Sequence, residues 1–529
     1  MSTTIEPVEM DAAAAPMPEA HTVSRLRLGT VVFMAGAGTL ATEIAASRLL
    51  APFFGSSTVV WANIIGLILI YLSLGYWLGG KVADRWPRPR VLGGIILVAA
   101  ASIAVLPFIS QPILELALQG LDSLSAGAVV GSFFAALALF AVPITLLGMV
   151  SPFAIRLSIR DIKTAGETAG RLYALSTVGS IAGTFVSAIV AIPLIGTQRT
   201  MLGAAVLLAF SAALLLGPRW QLLTILFAAV LAIPVGAIKA SEGLIYETES
   251  SQQYIQVTER ANGTRALRLN EGVASHSIWR EDTVFTGGYW DMFLVIPPLL
   301  TQPPKTMLVI GNSGGTVARA YGALYPDIEI DGVEIDAKVS EVGERYLGLG
   351  DNPNLTVITA DGRPHLRLTD KRYDIIIVDA YKQPYIPFYL ATREFFELTR
   401  DRLTDNGVLA LNVAAVPDDD RLSRTISSTV LAEYPQAWQW KPLRFNELLL
   451  AYNGTDLTRD KLASRAADVH PDASVLGELF ARDVIASETG ERPLTDDRAP
   501  VEWLTDQMIA SYIVDGDEGI DEGFLPTRP

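Results

Sequence analysis

Two kinds of hydrophobic pattern divide this chain near residue 240. Before that point, apolar residues run on without polar interruption. Stretches 59–79, 172–198, 200–218 and 220–238 carry no charge, and between 91 and 155 the only charged residues are Glu115 and Asp122. A helix needs roughly 20 apolar residues to cross a bilayer. The pattern therefore predicts seven spans, at 27–47, 59–79, 91–110, 128–150, 171–195, 200–217 and 220–238. After residue 240 the runs are short and end in glycines or acids. Met307-Leu308-Val309-Ile310 enters Gly311-Asn312-Ser313-Gly314-Gly315, and 328–333 ends at Glu334. Then 355–358 leads to Asp361-Gly362, 373–378 ends at Asp379, and Gly407-Val408-Leu409-Ala410 follows. Helical stretches fall between several of these runs, as parallel strands joined by right-handed crossovers require.

The first strand is apolar throughout, as a strand buried on both faces should be. Its closing glycines let the backbone turn sharply and approach a ligand at the carboxyl edge of a parallel sheet. A carboxylate after the second strand, Glu334, can accept hydrogen bonds from both hydroxyls of a ribose. Asp361 is placed to meet an adenine, and Asp379 faces the reacting end of the same ligand. A glycine loop alone is weak evidence, but the order and spacing of the five pieces point to one nucleotide-cofactor site and an enzyme.

Half of the residues are hydrophobic and the mean hydropathy is positive, which is unusual for a soluble enzyme of 529 residues. Residues 1–26 read as a disordered tail and not as a cleavable signal. Lys81, Arg85, Arg88 and Arg90 form one basic loop and Arg156, Arg160, Lys163 and Arg171 another, so both should face the cytoplasm, together with Arg25 and Arg27. Seven crossings would then carry everything after Lys239 outside, where an adenosyl co-substrate is not normally supplied. Either the short pair after Gln198 is miscounted, with one segment in the interface, or the catalytic domain lies outside. The expected location is the cell (plasma or inner) membrane, multi-pass, with that side left open.

The net charge of −15 argues against nucleic acid as a partner, because binding phosphates needs a basic surface. With no cysteine there are no disulfides or thiolate metal sites. The four histidines, at 21, 276, 365 and 470, show no metal spacing, so no metal site is expected.

From about residue 254 to 452 the chain resembles the spermidine synthase family of polyamine aminopropyltransferases, in particular its bacterial branch fused to a multi-pass membrane domain. The resemblance runs through Gln253-Tyr254-Ile255-Gln256-Val257, the hairpin 269–275, Gly288-Tyr289-Trp290-Asp291-Met292, the glycine loop, Glu334, Asp361-Gly362 and Asp379. It implies an N-terminal all-α transmembrane bundle and a C-terminal α/β Rossmann-like methyltransferase fold with a small β-hairpin subdomain. The corresponding divisions are 27–240 for the bundle, 241–300 for the small subdomain, 301–460 for the catalytic domain and 461–529 for a helical extension. A further run, Gly75-Tyr76-Trp77-Leu78-Gly79-Gly80-Lys81-Val82-Ala83-Asp84-Arg85, resembles the loop after the second helix of major-facilitator transporters.

The family resemblance implies transfer of an aminopropyl group from decarboxylated S-adenosylmethionine to a small amine such as putrescine, with no metal. Asp379 would be the general base, because an alkylamine is mostly protonated at neutral pH. Gly311, Asn312, Gly315, Glu334, Asp361 and Gly362 would hold the donor. Gln253, Tyr289, Asp291 and Tyr381 would line the amine site. A homodimer through the soluble domain is the assembly that the resemblance suggests, and the lipid bilayer is the other expected partner.

The chain departs from the family in two places. The acid that typical members carry in the glycine loop aligns with Gly314, and the family's Asp-Ser-Ser-Asp becomes Asp379-Ala380-Tyr381-Lys382. Both losses disfavour a dicationic acceptor, which needs carboxylates to offset its desolvation. Asp291, Glu394 and Glu447 are candidates to compensate. The competing functions are an alkyl- or methyltransferase using S-adenosylmethionine itself, and a transporter or sensor that only binds a polyamine or nucleoside; a catalytically dead scaffold is the remaining alternative. Glu43 and Arg48 invite attention as charges within the first span. His276 reads most simply as a loop histidine, and Thr495-Asp496-Asp497 as the cap of a final helix.

Overall fold

The computed structural model describes residues 23–55, 58–119, 127–159, 161–270, 274–382 and 385–514. Most of the expected tail (1–22) and part of the hairpin turn (271–273) lie outside the described residues.

Among the described residues, six helices are long and apolar enough to cross a bilayer: Arg25–Phe54, Val60–Arg85, Pro89–Ala117, Val130–Ser158, Ala165–Ile195 and Thr197–Leu216. The seventh expected span, 220–238, is corrected. Helix covers only Gln221–Val230 there, and residues 231–240 follow without helix or strand. Pro234 lacks an N–H and Gly236 follows it. Prolines are carried inside the third and fourth helices, so here it is the closely spaced Pro and Gly that disfavour a continuous helix.

Neighbouring helices approach closely at small residues. A Cβ on Gly179 would lie 2.1 Å from the Phe33 carbonyl oxygen and one on Gly183 2.2 Å from that of Ala37, so the first and fifth helices pack side by side in the same direction. Gly75 and Gly79 meet Thr145, Gly148 and Met149 in the same manner, which aligns the second helix with the fourth.

The second half begins with a four-stranded antiparallel sheet of β1 (Leu244–Glu249), β2 (Tyr254–Glu259), β3 (Arg265–Leu269) and β4 (Ser275–Trp279). An eight-stranded sheet follows. Its strands are β5 (Thr306–Ile310), β6 (Glu329–Glu334), β7 (Leu355–Thr359), β8 (Tyr373–Val378), β9 (Leu403–Ala414), β10 (Gln436–Trp440), β11 (Asn446–Tyr452) and β12 (Ile485–Ala486). The spatial order is β12-β10-β11-β9-β8-β5-β6-β7. From β7 to β9 all neighbours are parallel, while β11, β10 and β12 join antiparallel. The side chains of Met307 to Ile310 in β5 and of Ile375, Ile376 and Ile377 in β8 are almost wholly buried, as the unbroken apolar runs predict. The chain goes from β5 outward to β7, then returns to β8 on the other side of β5. The carboxyl ends of β5 and β8 therefore flank the switch point at which such sheets bind ligands.

Polar contacts among the described residues join the two halves, with both the amide and the hydroxyl of Thr197 on Glu249. The Arg48 guanidinium donates to the Ser251 carbonyl. The Thr197 amide donates to Oε2 of Glu249 at 2.5 Å, and Lys239 Nζ donates to the Pro52 carbonyl at 2.8 Å. After β11 come the helices Arg459–Ala466, Ser474–Asp483 and Val501–Val514, and strand β12 that edges the sheet.

Candidate active site

Glycine at 311 is required by both conformation and space. Its φ is +87°, and a Cβ there would lie 2.7 Å from the Asp379 carbonyl oxygen and 2.6 Å from Ala380 Cα. The loop after β5 can therefore lie directly against the loop after β8, where the Asp379 amide donates to the Ile310 carbonyl at 2.9 Å. Farther along, Ser313 also has positive φ, and Gly315 opens the helix Thr316–Leu324.

Glu334 closes β6 and turns under this loop. Its Oε2 accepts from the Ser313 amide and its Oε1 from the Asp336 amide, each at 3.0 Å. Burial pushes its carboxyl up to about 7 against the lowering effect of these amides. Beside it, both polar atoms of the Asn312 side chain and the Ser313 hydroxyl are buried without a hydrogen-bond partner. Buried polar groups are normally paired, so this cluster has the hydrogen-bonding capacity that a sugar would use. Asp361 caps the helix Gly362–Leu368 by accepting from the Arg363 amide at 3.1 Å. The Tyr389 hydroxyl is hydrogen-bonded to Asp361, and burial followed by that charge pushes the phenol up to about 12. A cleft of about 370 Å³ opens here, lined by Asp361, Arg363, Pro364, Arg367, Leu368 and Tyr389.

Asp379 closes β8. Its Oδ2 accepts from the Tyr289 hydroxyl at 3.2 Å and its Oδ1 from Asn412 Nδ2 at 3.0 Å. Burial pushes its carboxyl up to about 7, with the two hydrogen bonds pulling the other way. The Tyr289 ring stacks on Trp290 at 4.2 Å between centroids, which fixes the phenol over the carboxylate. Asn412 is in turn oriented by Asn446 Nδ2, which donates to its side-chain oxygen at 2.9 Å. Reading the sequence missed both asparagines. The available signal was a polar side chain in the otherwise apolar run Leu409-Ala410-Leu411-Asn412-Val413.

Of the expected amine-site residues, Tyr289 meets Asp379, while Asp291 and Tyr381 have polar contacts of their own. Asp291 accepts from the Thr286 amide and hydroxyl and from the Gly287 amide at 2.8–3.1 Å, so the buried carboxylate holds its own loop together. The Tyr381 hydroxyl accepts from the Ala414 amide and donates to the Asn412 carbonyl, bracing β9. Gln253 lies in the turn between β1 and β2, where its amide donates to Ser250 Oγ. The same hydroxyl donates to Asp336 Oδ2 at 2.5 Å, next to Glu334.

Of the compensating acids, Glu447 is taken up by Ser423 and Gln439. Glu394 accepts from the Asp496 amide. His276 sits in β4. Asp496 does not cap the final helix, which begins at Val501; it forms an ion pair with Arg363 at 2.7 Å. At position 314 an added Cβ would lie 2.4 Å from Leu347 Cδ1 and 3.0 Å from Ser277 Oγ. A side chain at 314 would have to displace the Leu347 methyl and the Ser277 hydroxyl.

A profile of the spermine/spermidine synthase domain matches residues 288–430, from just before Tyr289 to beyond Asn412. The chain is similar to a polyamine aminopropyltransferase of Streptococcus pneumoniae, 30% identical over 199 residues that make up 36% of this chain and 67% of that protein. The chain belongs to the polyamine aminopropyltransferase family. It is also similar to a probable polyamine aminopropyl transferase of Bifidobacterium longum, 32% identical over 295 residues, or 51% of this chain and 64% of the relative. A third family member, the polyamine aminopropyltransferase of Vibrio vulnificus, is 40% identical over 123 residues, or 22% of this chain and 41% of that protein. The chain thus spans less than two thirds of the length of the latter two relatives.

Proposed function

We propose that this chain is a membrane-bound aminopropyltransferase that moves an aminopropyl group from decarboxylated S-adenosylmethionine to a small amine. The observation that carries the reading is Asp379, a buried carboxyl pushed up to about 7 at the switch point and held from both sides by Tyr289 and Asn412.

The chemistry follows from proton balance. An alkylammonium, with a pKa of about 10.4, has no lone pair for attack until it loses a proton. An ordinary aspartate is a poor acceptor for it. Each pKa unit corresponds to about 1.4 kcal/mol, so a base near 7 lowers the cost of that transfer by about 4 kcal/mol. The freed amine attacks the carbon next to the sulfonium and a C–N bond forms. The C–S bond breaks with its electron pair left on sulfur, giving a neutral thioether and a lengthened amine. Glu334 and the Asn312–Ser313 cluster would bind the ribose, and Asp361 the adenine. The loop at Gly311 would bring the donor against Asp379 for in-line displacement.

One observation favours a second reading, an alkyltransferase that uses intact S-adenosylmethionine. Residue 314 is glycine, with Leu347 and Ser277 against it, so no acid stands there to pair with the amine of the aminopropyl arm or to repel a donor carboxylate. Calorimetric binding of the two donors to detergent-solubilised protein, followed by putrescine and mass spectrometry, separates the readings. The first expects preference for the decarboxylated donor and a product heavier by one aminopropyl group.

A further inference from the structure

The geometry points to an active site that works on the membrane face opposite the basic loops, so that the catalytic domain lies outside the cytoplasm. This rests on the membrane-bound reading above and not on the identity of the donor.

The two ends of the bundle can be told apart by contacts. At one end the Arg156 guanidinium pairs with Asp84 at 2.9 Å, joining the ends of the second and fourth helices. Gly93, at the start of the third helix, meets Leu215 and Leu216 at the end of the sixth. This end carries Lys81, Arg85, Arg88, Arg90, Arg156 and Lys163, and the first helix starts here at Arg25. At the other end the sixth helix begins, where Gln198 Nε2 donates to the Pro107 carbonyl at 3.5 Å. The first helix ends there too, at Phe54. In the sequence the segments between these helix ends, 55–57, 118–129 and 196, contain no lysine or arginine, and the cations near this end are Arg48, Arg199 and Lys239, fewer than at the first.

The second half is joined to this second end by the contacts described above, at Arg48, Thr197 and Pro52. Six helices alone would leave the chain at the basic end after Leu216. Residues 217–240 bring it back: Phe227 packs on the bundle core, Ile238 is buried in it, and Lys239 reaches Pro52. The short helix Gln221–Val230 and the irregular stretch after it together make the return that a single helix does not. Basic connections mark the cytoplasmic side, which puts β1 to β12 on the other side. The amine acceptor is then one present there. A sulfonium donor, being permanently charged, does not cross hydrocarbon unaided and has to be carried over.

The chain has no cysteine, so single thiols report position cleanly. Ala261→Cys lies exposed on the β2–β3 turn and Thr164→Cys at the basic end. A membrane-impermeant maleimide applied to intact spheroplasts is expected to label Ala261→Cys fully and Thr164→Cys only after the membrane is opened. Labelling of Thr164→Cys alone, or equal labelling of both, overturns the inference. Glu478→Cys and Glu167→Cys form a second pair of exposed positions if either first variant fails to accumulate. Labelling needs no turnover. A protein inactive with both donors but labelled as expected would sink the chemistry and leave the orientation standing.

Discussion

The side-chain amide of Asn412 reaches across from β9 to donate to Asp379 Oδ1 at 3.0 Å, while Asn446 fixes its other end. The hydrogen bond lowers the carboxyl against the upward push of burial, so Asn412 sets how much of the base is ionised near neutrality. Asn412→Leu should move the rising limb of the pH–rate profile to higher pH and cut kcat/KM at pH 7 by roughly 10- to 100-fold, the worth of a hydrogen bond to a charged group. A profile whose midpoint stays in place would exclude this role.

Asp379→Asn should abolish turnover and leave donor affinity within a few-fold. It should also make the protein more stable above neutral pH. A carboxyl raised from 3.8 to about 7 favours the folded state while protonated, so its contribution is present below pH 3.8 and is lost as pH rises to about 7. Above that, the buried charge costs up to about 4 kcal/mol. Thermal melts of both proteins at pH 5 and pH 8 should show the gap widening at the higher pH; a constant gap would count against a raised carboxyl.

Glu334 is also pushed up to about 7 by burial. Ribose hydroxyls donate to the ionised form, so donor affinity should improve as pH rises through 7 and level off above it. In Glu334→Gln that dependence should vanish and binding weaken by roughly 10- to 100-fold. Titration calorimetry across pH 5.5–8.5 tests both points.

Restoring the family's loop acid by Gly314→Asp should fail. Leu347 and Ser277 occupy the space, and overpacking of this kind costs about 1–3 kcal/mol. Pairing it with Leu347→Ala should recover much of the loss in melting temperature. If Gly314→Asp alone were as stable as the parent, the packing account of the glycine would be wrong.

Arg48 holds the Ser251 carbonyl and lies within electrostatic reach of Glu249 and Asp336. Through Ser250 and Asp336 this turn supports Glu334. Arg48→Ala should weaken donor binding by about 2- to 30-fold, the range of coupling through packed contacts, with kcat little changed. A fall in kcat with unaltered donor affinity would place its effect elsewhere.

Much of this architecture was legible in the residue order. Five short runs with glycines or acids at their ends became β5 to β9; the central ones, β5 and β8, are apolar because both their faces are buried, while β6 and the edge strand β7 carry polar residues. Six of the expected spans became helices for the same local reason. Residues 220–238 did not, because hydropathy measures transfer into lipid whereas a helix also needs backbone hydrogen bonds and low backbone entropy, which Pro234 and Gly236 together disfavour.

What the tertiary structure alone decided is which groups meet across long separations. Asp291 and Tyr381 looked like ligand contacts, yet their polar atoms are consumed by the loop at 286–287 and by β9. Asn412 looked like an interruption in a strand and sits on Asp379. The end of the bundle that carries the catalytic domain could not be read from span counting, since it depends on how residues 217–240 lie against the helices. Periodicity and turn chemistry act within about ten residues and specify elements. Hydrogen bonds between elements depend on register and packing, which appear only when the chain is assembled.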